Sequence, residues 1–461
     1  MPPAAWTPSI PEGAAPLYER LVTALRADIA SGALAAGVRL PPQRDLAYRL
    51  GLGLGTVTRA YVEAEKAGLV SAHVGRGSFV NAPATLRALE REGPVNLVQN
   101  IAPTTPAGTR LPEALARLRR RSDLLEHLAY APAAGHETQR RAGAAWLSRV
   151  GSFQGADWTR LVCCGGAQQA LALALGAVTR PGDTVLVEPA TYNGQKALAA
   201  HHGWRLKGVA MDEEGLRPDA LEAAVRETGA RVLSILPTLQ NPTGRIMSLA
   251  RREDIAAIAR KHDLIIVEDD IYAAYAPGAP PPFALLAPER TFHVSGVSKI
   301  LGPGLRAGYL VAPNAALLER VSDAVRALNY APSGFGGLIA TQWIEDGSAD
   351  QIVAEIRDEM AVRQAMALEM LGGAVEAPRT PFAPHLWLPM NELDAERVAG
   401  RALRGGVEVT PPDAPAVDPA LESGVRVCLG AAPDRETLRG ALGVVAAALS
   451  NEVAERSRAV V

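Results

Sequence analysis

The sequence predicts an α/β protein in which a small, mainly helical domain precedes a larger domain built on a mostly parallel seven-stranded sheet. The chain has 461 residues, and at about 150 residues per domain this length predicts two or three domains. Hydrophobic residues make up 48% of the chain and charged residues 21%, values typical of a globular protein with a large core. Short apolar runs alternate with helical stretches between residues 161 and 311, a pattern that favours parallel strands joined by helices.

The first 80 residues predict three helices followed by two strands. Apolar residues recur at helical spacing from Leu17 to Ile29. Residues 43–50 and 55–67 then have the pattern of two short helices joined by a turn that contains glycine, which is a helix-turn-helix arrangement. Residues 69–80 have the pattern of two short strands around a turn at 74–77. Residues 1–80 are therefore predicted to form a winged helix-turn-helix domain.

The remainder of the chain divides into three segments. Residues 81–98 contain proline, glycine and alternating charge, so we expect a connector there. Residues 99–330 are expected to form the large domain, and residues 331–461, which mix helices with short strand-like pieces, a smaller C-terminal α+β domain. The seven predicted strands of the large domain are residues 161–164, 184–187, 206–210, 232–236, 264–267, 291–294 and 307–311.

Composition excludes several classes of protein. No apolar run approaches the ~18 residues of a membrane span, and the first residues have neither a basic region nor an apolar core, so we expect a cytoplasmic protein with no membrane partner. Cys163, Cys164 and Cys428 match neither a disulfide framework nor zinc-ligand spacing, so buried thiols and no metal are expected. The net charge of −2 means that any nucleic-acid binding has to be local.

Polar and glycine residues follow the predicted strands at the edge where ligands bind open parallel sheets. In chain order they are Gly166, Ala167 and Gln168, then Tyr192, Asn241, the carboxylates 268–270 with Tyr272, and finally Ser298, Lys299 and Arg306. Each is an ordinary turn or surface residue when taken alone. Together they match a flat heteroaromatic phosphate ester with a reactive aldehyde, because the lysine can form a Schiff base and a carboxylate can keep a ring nitrogen protonated. The sequence therefore predicts pyridoxal 5′-phosphate (PLP) as cofactor.

The other strand-end residues have complementary chemistry. Their predicted contacts are Tyr192 on the ring face, Asn241 and Tyr272 on the phenolic oxygen, and Arg306, Ser298 and the Gly166, Ala167 and Gln168 turn on the phosphate.

Residues from about 95 to 461 resemble fold-type I aminotransferases, especially the α-aminoadipate/kynurenine branch. The resemblance rests on segments 130–132, 166–169, 241–244, 268–272, 298–299 and 304–309, and on Arg426. It implies that Lys299 binds PLP as an internal aldimine, that Asp269 holds the pyridine nitrogen, and that Arg426 binds a substrate or effector carboxylate. It also implies a homodimer in which Tyr130 reaches the cofactor phosphate of the other subunit.

Residues from about 16 to 80 resemble the winged helix of GntR-type repressors, through segments 37–41, 43–47, 56–61 and 75–80. Joined in this order, the two parts resemble the MocR subfamily of transcription regulators. The resemblance implies major-groove contacts with operator DNA, made by Arg44, Thr56, Thr58 and Arg59, and a minor-groove contact made by Arg76. The alternative is that these arginines only solubilise a small helical domain.

Two departures from the family patterns are visible. Gly53-Leu54-Gly55 stands where the GntR family usually has a Ser-Arg pair, so a hydroxyl cap and a cation are missing at the start of the recognition helix. Gly296 occupies a position that is often Ser or Thr in aminotransferases, which removes one hydroxyl that could bind phosphate.

Three functions remain open at this point. The first is a PLP-dependent transcription regulator that senses PLP or an amino compound, and the second is an active aminotransferase that carries a winged helix. In the third, the N-terminal module serves only for dimerisation or packing. The N-terminal module contributes nothing obvious to transamination, which favours regulation.

Overall fold

A computed structural model describes residues 6–11, 13, 15–30, 33–34, 38–66, 69–73, 77–80, 93–151, 153–332 and 334–450. The chain forms two compact units, residues 1–92 and residues 93–461, which are considered separately. The second unit begins at Gly93, inside the 81–98 stretch that the sequence suggests as a connector. Most of that connector, residues 81–92, lies outside the described residues.

The first unit contains the three helices and two strands that the sequence predicts. They are α1 (Leu17–Ala30), α2 (Gln43–Leu50), α3 (Leu54–Lys66), β1 (Val70–His73) and β2 (Gly77–Val80). Gly51 ends α2 in the left-handed conformation (φ 63°), and the N–H of Leu52 donates to the carbonyl of Ala47, which turns the chain toward α3. Leu46 and Val57 are fully buried. The helix-turn-helix is therefore held by an apolar core between α2 and α3.

The two strands of the first unit form the wing. β1 and β2 pair antiparallel, with Val70 opposite Val80. Residues 74–76 of the predicted turn, and with them Arg76, lie outside the described residues.

The second unit alternates strands and helices along most of its length. Its elements are β3 (Val95–Asn96), α4 (Thr105–Leu118), α5 (Glu137–Val150), β4 (Leu161–Cys164), α6 (Ala167–Gly176), β5 (Thr184–Val187), α7 (Asn193–His202), β6 (Arg205–Gly208), β7 (Met211–Asp212), β8 (Gly215–Leu216), α8 (Pro218–Thr228), β9 (Val232–Ile235), α9 (Leu249–Lys261), β10 (Ile265–Asp269), α10 (Phe283–Leu286), β11 (Thr291–Gly296), β12 (Gly308–Val311), α11 (Ala315–Leu328), α12 (Gly334–Glu345), α13 (Ser348–Leu371), β13 (His385–Pro389), α14 (Glu392–Arg404), β14 (Val407–Glu408), β15 (Gly424–Cys428) and α15 (Arg435–Leu449).

Seven of these strands form one sheet, as predicted. Its order is β4-β12-β11-β10-β9-β5-β6. β12 runs antiparallel to β4 and β11, and the other neighbouring pairs are parallel. The central strands are buried on both faces, as expected for a sheet covered by helices. The predicted mostly parallel α/β architecture is confirmed.

The C-terminal part of the second unit is a smaller α+β layer. β13 and β15 pair antiparallel, α14 packs against β15, and α15 packs against α13 and α14. β3 pairs in parallel with β14, so the last residues of the predicted 81–98 connector are hydrogen-bonded to the C-terminal part of the chain. Across the ranges described above, no helix combines the length and apolar character that a bilayer span requires.

Candidate functional site

Lys299 lies three residues after the last residue of β11, where the sheet meets its ligand-binding edge. Its Nζ donates a hydrogen bond of 2.7 Å to the main-chain oxygen of Asn100. The hydroxyl of Tyr275 donates to the main-chain oxygen of Lys299 at 2.5 Å, which holds the backbone at this position. Burial lowers the pKa of Lys299, with a further lowering from Arg426. A lysine with a lowered pKa is more often uncharged and therefore nucleophilic.

Asp269 is the last residue of β10, next to β11 in the sheet. Its carboxylate is buried and accepts a hydrogen bond of 3.1 Å from the N–H of Ile271. Burial raises the pKa of Asp269 to about 7, and the positive charges of Lys299 and His293 oppose that shift. A cation next to this carboxylate would therefore keep it ionised at neutral pH.

A second set of charged side chains is buried around β10 and β11. Glu268 accepts hydrogen bonds from the N–H groups of Phe283 (2.9 Å) and Ala284 (3.2 Å). It also lies 3.2 Å from the Nδ1 of His293 and 3.9 Å from the Nη1 of the buried Arg252. Glu268 is directly opposite His293 in the β10–β11 register, and Asp269 is opposite Val294. Because neighbouring strand residues alternate between the two faces, the Glu268 and His293 side chains lie on the face opposite Asp269. Although burial lowers the pKa of His293, the negative charges of Glu268, Asp270 and Asp269 together outweigh burial and raise it.

Arg306 contacts the glycine turn between β4 and α6, at the N-terminus of α6. Nη2 of Arg306 donates to the carbonyl of Gly165 at 2.6 Å. Gly166 has a φ of 104°, and a Cβ there would lie 2.8 Å from Arg306 Nη2. A Cβ on Gly308 would lie 2.6 Å from the carbonyl carbon of Gly166. No side chain caps α6, which begins at Ala167, so its N–H groups and a guanidinium converge where an anion can bind.

Tyr192 and Gln168 lie together beside this turn. Nε2 of Gln168 donates to the carbonyl of Gly194 at 2.9 Å. A Cβ on Gly194 would overlap both the Tyr192 ring and the Gln168 Oε1. Glycine at 194 is therefore what allows the ring and the amide to approach each other this closely.

Asn241 and Arg426 are brought together from distant parts of the chain. Both are buried, and Nη1 of Arg426 donates to the Oδ1 of Asn241 at 2.6 Å. Nη2 of Arg426 donates to the Val98 carbonyl at 2.7 Å and to the Thr410 hydroxyl at 2.9 Å. The Nε of Arg426 has no partner within the described part of the chain.

Two buried residues that sequence reasoning missed connect these groups. Nδ2 of Asn100 lies 2.9 Å from the Tyr272 hydroxyl and 2.8 Å from the Nδ1 of His385. Nε2 of His385 lies 3.1 Å from the carbonyl of Gln240. Asn100 follows no predicted strand and belongs to no motif, so local pattern carried no signal for it. His385 begins β13, where local pattern does not distinguish a functional histidine from a core residue.

Four of these site residues have a buried polar atom without a partner in the part of the chain that the structure describes. Among the described residues, the Oγ of Ser298, the Oε1 of Gln168, the Oδ1 of Asn100 and the Nε of Arg426 are buried and form no hydrogen bond. An unpaired buried polar group costs about 1–3 kcal/mol. Ser295 does not replace the hydroxyl missing at Gly296, because its Oγ donates to the main-chain oxygen of Asp270 at 3.3 Å. The set of unpaired atoms fits a polar ligand with a phosphate and hydrogen-bonding ring substituents.

Tyr130 lies apart from this cluster. Its side chain is 82% exposed, and its ring packs on that of Tyr330, with a centroid distance of 4.4 Å. Leu125, Leu128 and Phe335 are also at least half exposed. Tyr130 therefore belongs to an exposed apolar surface in this chain.

The predicted DNA-contacting residues of the first unit are on exposed or half-buried positions of α2 and α3. Arg44, Thr58 and Arg59 are exposed, and Thr56 is half-buried. The Thr58 hydroxyl donates to the Oε1 of Gln43 at 2.9 Å. The guanidinium of Arg59 lies 4.0 Å above the ring centroid of Tyr18 and donates to its hydroxyl at 3.2 Å. Two of the predicted contacts thus have partners inside the unit itself.

Comparison with known families agrees with this division. Residues 92–445 match the family described as aminotransferase class I and II, and residues 17–80 match the bacterial regulatory proteins of the gntR family. The fold and the two sites thus define a class of protein that joins a helix-turn-helix unit to an aminotransferase-like unit. The chain belongs to the aminotransferase class I and II family, and its order of domains is that of the MocR subfamily of GntR-type regulators, as the sequence predicts.

Two relatives are similar to this chain over most of its length. The chain is 29% identical over 80% of its length to the uncharacterized HTH-type transcriptional regulator YdeF of Bacillus subtilis, and it covers 80% of that protein. It is 30% identical over 69% of its length to the uncharacterized HTH-type transcriptional regulator YjiR of Escherichia coli, and it covers 72% of that protein.

The fold is shared with solved aminotransferases. An archaeal alanine:glyoxylate aminotransferase has a TM-score of 0.71 and 24% identity, covering 78% of this chain and 91% of its own. The α-aminoadipate aminotransferase LysN of Thermus thermophilus has a TM-score of 0.69 and 24% identity, covering 85% of this chain and 98% of its own.

Proposed function

We propose that this protein is a transcription regulator that binds operator DNA through its first unit and holds PLP in its second unit, where PLP or an amino compound acts as the effector. The observation that carries the proposal is the meeting of Lys299 and Asp269 at the ends of neighbouring strands, in a chain that also has a GntR-type helix-turn-helix. The relatives YdeF and YjiR are named as HTH-type transcriptional regulators. LysN was solved with a phosphopyridoxyl-leucine compound.

The residues around Lys299 have complementary roles in this proposal. When bound, PLP supplies an aldehyde for the Lys299 amine and a ring that withdraws electrons. Asp269 carries the negative charge that keeps a proton on the ring nitrogen. Arg306, the Ser298 hydroxyl and the N–H groups of the 166–168 turn bind the phosphate.

Four further residues orient the ring and the effector. Tyr192 covers one ring face, and the Asn241 amide and the Tyr272 hydroxyl bind the phenolic oxygen. Arg426, which still has an unpaired Nε–H, binds a carboxylate of the effector. Effector binding is then linked to DNA affinity by a coupling free energy between the two sites.

The site is proposed to be complete in a homodimer. The exposed apolar surface around Tyr130 and Tyr330 is of the kind that a second subunit covers. Tyr130 of the partner subunit would then reach the phosphate end of the site.

An active aminotransferase is the second candidate. The observation that favours it is that Lys299, Asp269 and Arg426 are all present in one buried region, since a sensor and an enzyme need the same groups. Multiple turnovers between amino acids and oxo acids, without any DNA binding, would favour this candidate over regulation.

The test combines cofactor attachment with DNA binding. After incubation with PLP and reduction with borohydride, we expect a single adduct at Lys299 by peptide mass mapping, and none in Lys299→Ala. Lys261→Ala, which changes an exposed lysine, is the matched control and should label as the parent does. Selection of genomic fragments should return a specific operator whose affinity changes when PLP or amino compounds are added. An adduct that persists in Lys299→Ala contradicts the cofactor assignment, and failure to select any operator contradicts the regulatory one.

A further inference from the structure

Asn100, Tyr272 and His385 form a buried chain of hydrogen bonds beside Lys299. Nε2 of His385 is 3.1 Å from the carbonyl oxygen of Gln240, which can only accept, so Nε2 carries the hydrogen. Burial and the positive charge of Arg426 lower the pKa of His385 to about 3, so the ring is neutral at physiological pH. Its Nδ1 is therefore a bare acceptor.

The acceptor at His385 determines which way the Asn100 amide faces. The Asn100 atom 2.8 Å from Nδ1 has to be a donor, which identifies it as Nδ2. The same Nδ2 is 2.9 Å from the Tyr272 hydroxyl and uses its second hydrogen there. Both amide hydrogens are thus used, and the Oδ1 of Asn100 is left buried without a partner in the described part of the chain.

The amide in turn determines the direction of the Tyr272 hydroxyl. Because its oxygen accepts from Asn100, the hydroxyl cannot donate back along the same line. Tyr272 is fully buried, and burial raises its pKa well above the ordinary value, so it keeps its hydrogen. Arg426 opposes that shift, while Cys428, Asp269 and Tyr192 add to it.

We propose that Asn100 and His385 are positioning residues that aim the Tyr272 hydroxyl at the phenolic oxygen of the cofactor. The inference rests on the proposed function. His385 fixes the amide of Asn100, Asn100 donates to the oxygen of Tyr272, and the hydrogen of Tyr272 points into the site. With the cofactor bound, this donor would stabilise negative charge on the phenolic oxygen, and the nitrogen contributed by Lys299 would lose its proton at lower pH.

We call the chain of hydrogen bonds from His385 through Asn100 to Tyr272 the relay. Side-chain substitutions in the relay can be tested without moving Lys299, because the hydrogen bond from Lys299 is to the main chain of Asn100. Lys299 donates to the backbone oxygen of Asn100, which side-chain substitutions leave in place. Replacing His385 by Leu removes the acceptor, so the Asn100 amide can turn and present Oδ1 to Tyr272, whose hydroxyl then donates to Asn100 instead. Asn100→Asp, which is nearly isosteric, has the same effect on the hydroxyl.

The experiment is a pH titration of the visible absorption of the PLP-loaded full-length protein. We expect Tyr272→Phe and His385→Leu each to raise the midpoint of the titration by about one pH unit. A shift of this size corresponds to the free energy of one hydrogen bond to a charged oxygen. In the Tyr272→Phe background, His385→Leu should cause no further rise. His201→Leu, at an exposed helix end, should leave the midpoint unchanged.

Asn100→Asp keeps the test decisive if His385→Leu does not fold. The charge that Asn100→Asp adds affects the titration midpoint with either Tyr or Phe at 272. Only with Tyr does the variant also turn the hydroxyl away, so we expect the rise in midpoint to be about one pH unit smaller with Phe at 272 than with Tyr. Equal shifts in the two backgrounds, for either variant, overturn the relay, since a purely structural role would not depend on the Tyr272 hydroxyl. If the parent protein takes up no PLP at Lys299, the proposed function fails together with the relay, whereas normal loading with equal shifts removes the relay alone.

Discussion

Arg44 and Arg59 of the first unit and Arg245 of the second unit are placed in opposite environments. Arg44 and Arg59 of the first unit are exposed, and Arg59 contacts only the ring and hydroxyl of Tyr18 among its described partners. In the second unit, Arg245 makes two hydrogen bonds to Glu376 (2.8 and 2.7 Å) and one of 2.6 Å to Glu422, with its side chain 10% exposed. The same side chain is therefore a surface charge in one unit and a structural ion in the other.

This difference shows where each unit has room for a ligand. An exposed guanidinium can exchange a weak internal partner for a DNA phosphate at little cost, because its charge is already solvated. A buried guanidinium with a full set of carboxylates is costly to disturb. The exception is Arg426, which is buried but keeps an unpaired Nε, and this is the arginine we propose as the effector clamp.

Replacing Arg245 is expected to have the largest effect on stability of the changes that test this comparison. Arg245→Met leaves Glu376 and Glu422 without their cation, which should lower the free energy of unfolding of the second unit by about 3–5 kcal/mol. Arg117→Met, which breaks surface pairs with Glu113 and Asp346, should cost only about 1 kcal/mol. Urea titration measures both. Similar losses for the two variants would contradict the distinction between buried and surface arginines.

A smaller effect is expected on how the free energy of unfolding changes with pH, through the protonation of Asp269. Its pKa in the folded chain is about 7, whereas an unperturbed aspartate titrates at about 3.9. Between these pH values the folded state binds a proton that the unfolded state has lost, so the contribution of Asp269 to stability falls as pH rises and stays low above pH 7. Asp269→Asn should remove this loss, which amounts to up to about 4 kcal/mol.

The measurement is the difference in unfolding free energy between Asp269→Asn and the parent, both free of cofactor, from about pH 4 to pH 8. The difference should move in favour of the variant as pH rises. Burial raises the pKa of Glu188 to about 7, and the charge of Asp269 adds to that shift. Asp269→Asn removes this addition, which also moves the difference in favour of the variant as pH rises. Asp413→Asn, at an exposed position, should give a flat difference, and a flat difference for Asp269→Asn would show that this carboxylate is not destabilised by burial.

The smallest effect is expected in the first unit. Arg44→Ala and Arg59→Ala should each weaken operator binding roughly tenfold and reduce the salt dependence by about one ion, while melting temperature and PLP uptake stay unchanged. Arg26→Ala, an exposed position on α1, is the control. Fluorescence anisotropy at several salt concentrations distinguishes the cases. If both variants bind operator DNA as tightly as the parent does, these arginines serve only to solubilise the domain.

Much of the fold was predictable because its signals are local. Apolar runs of strand length predicted all seven strands of the sheet, and helical spacing predicted α1 to α3. The exact ends of the strands depend on pairing with neighbouring strands, which local pattern does not encode. The strand predicted at 264–267 extends to Asp269, because Glu268 and Asp269 pair with His293 and Val294 of β11. The site residues that lie on strand ends or glycine turns, such as Lys299 and Gly166, were also singled out from local pattern, and their roles stay predictions.

The sequence by itself determined the order of the two units, the sheet and the chemical types of the strand-end residues, since each depends on neighbours within a few positions. Only the tertiary structure decided that Asn100 meets Tyr272, 172 positions away, and His385, 285 positions away. It also decided that Arg426 meets Asn241 across 185 positions. The physical reason is that a buried polar group must find its hydrogen-bond partner wherever the packed chain brings one, and no local periodicity encodes that meeting.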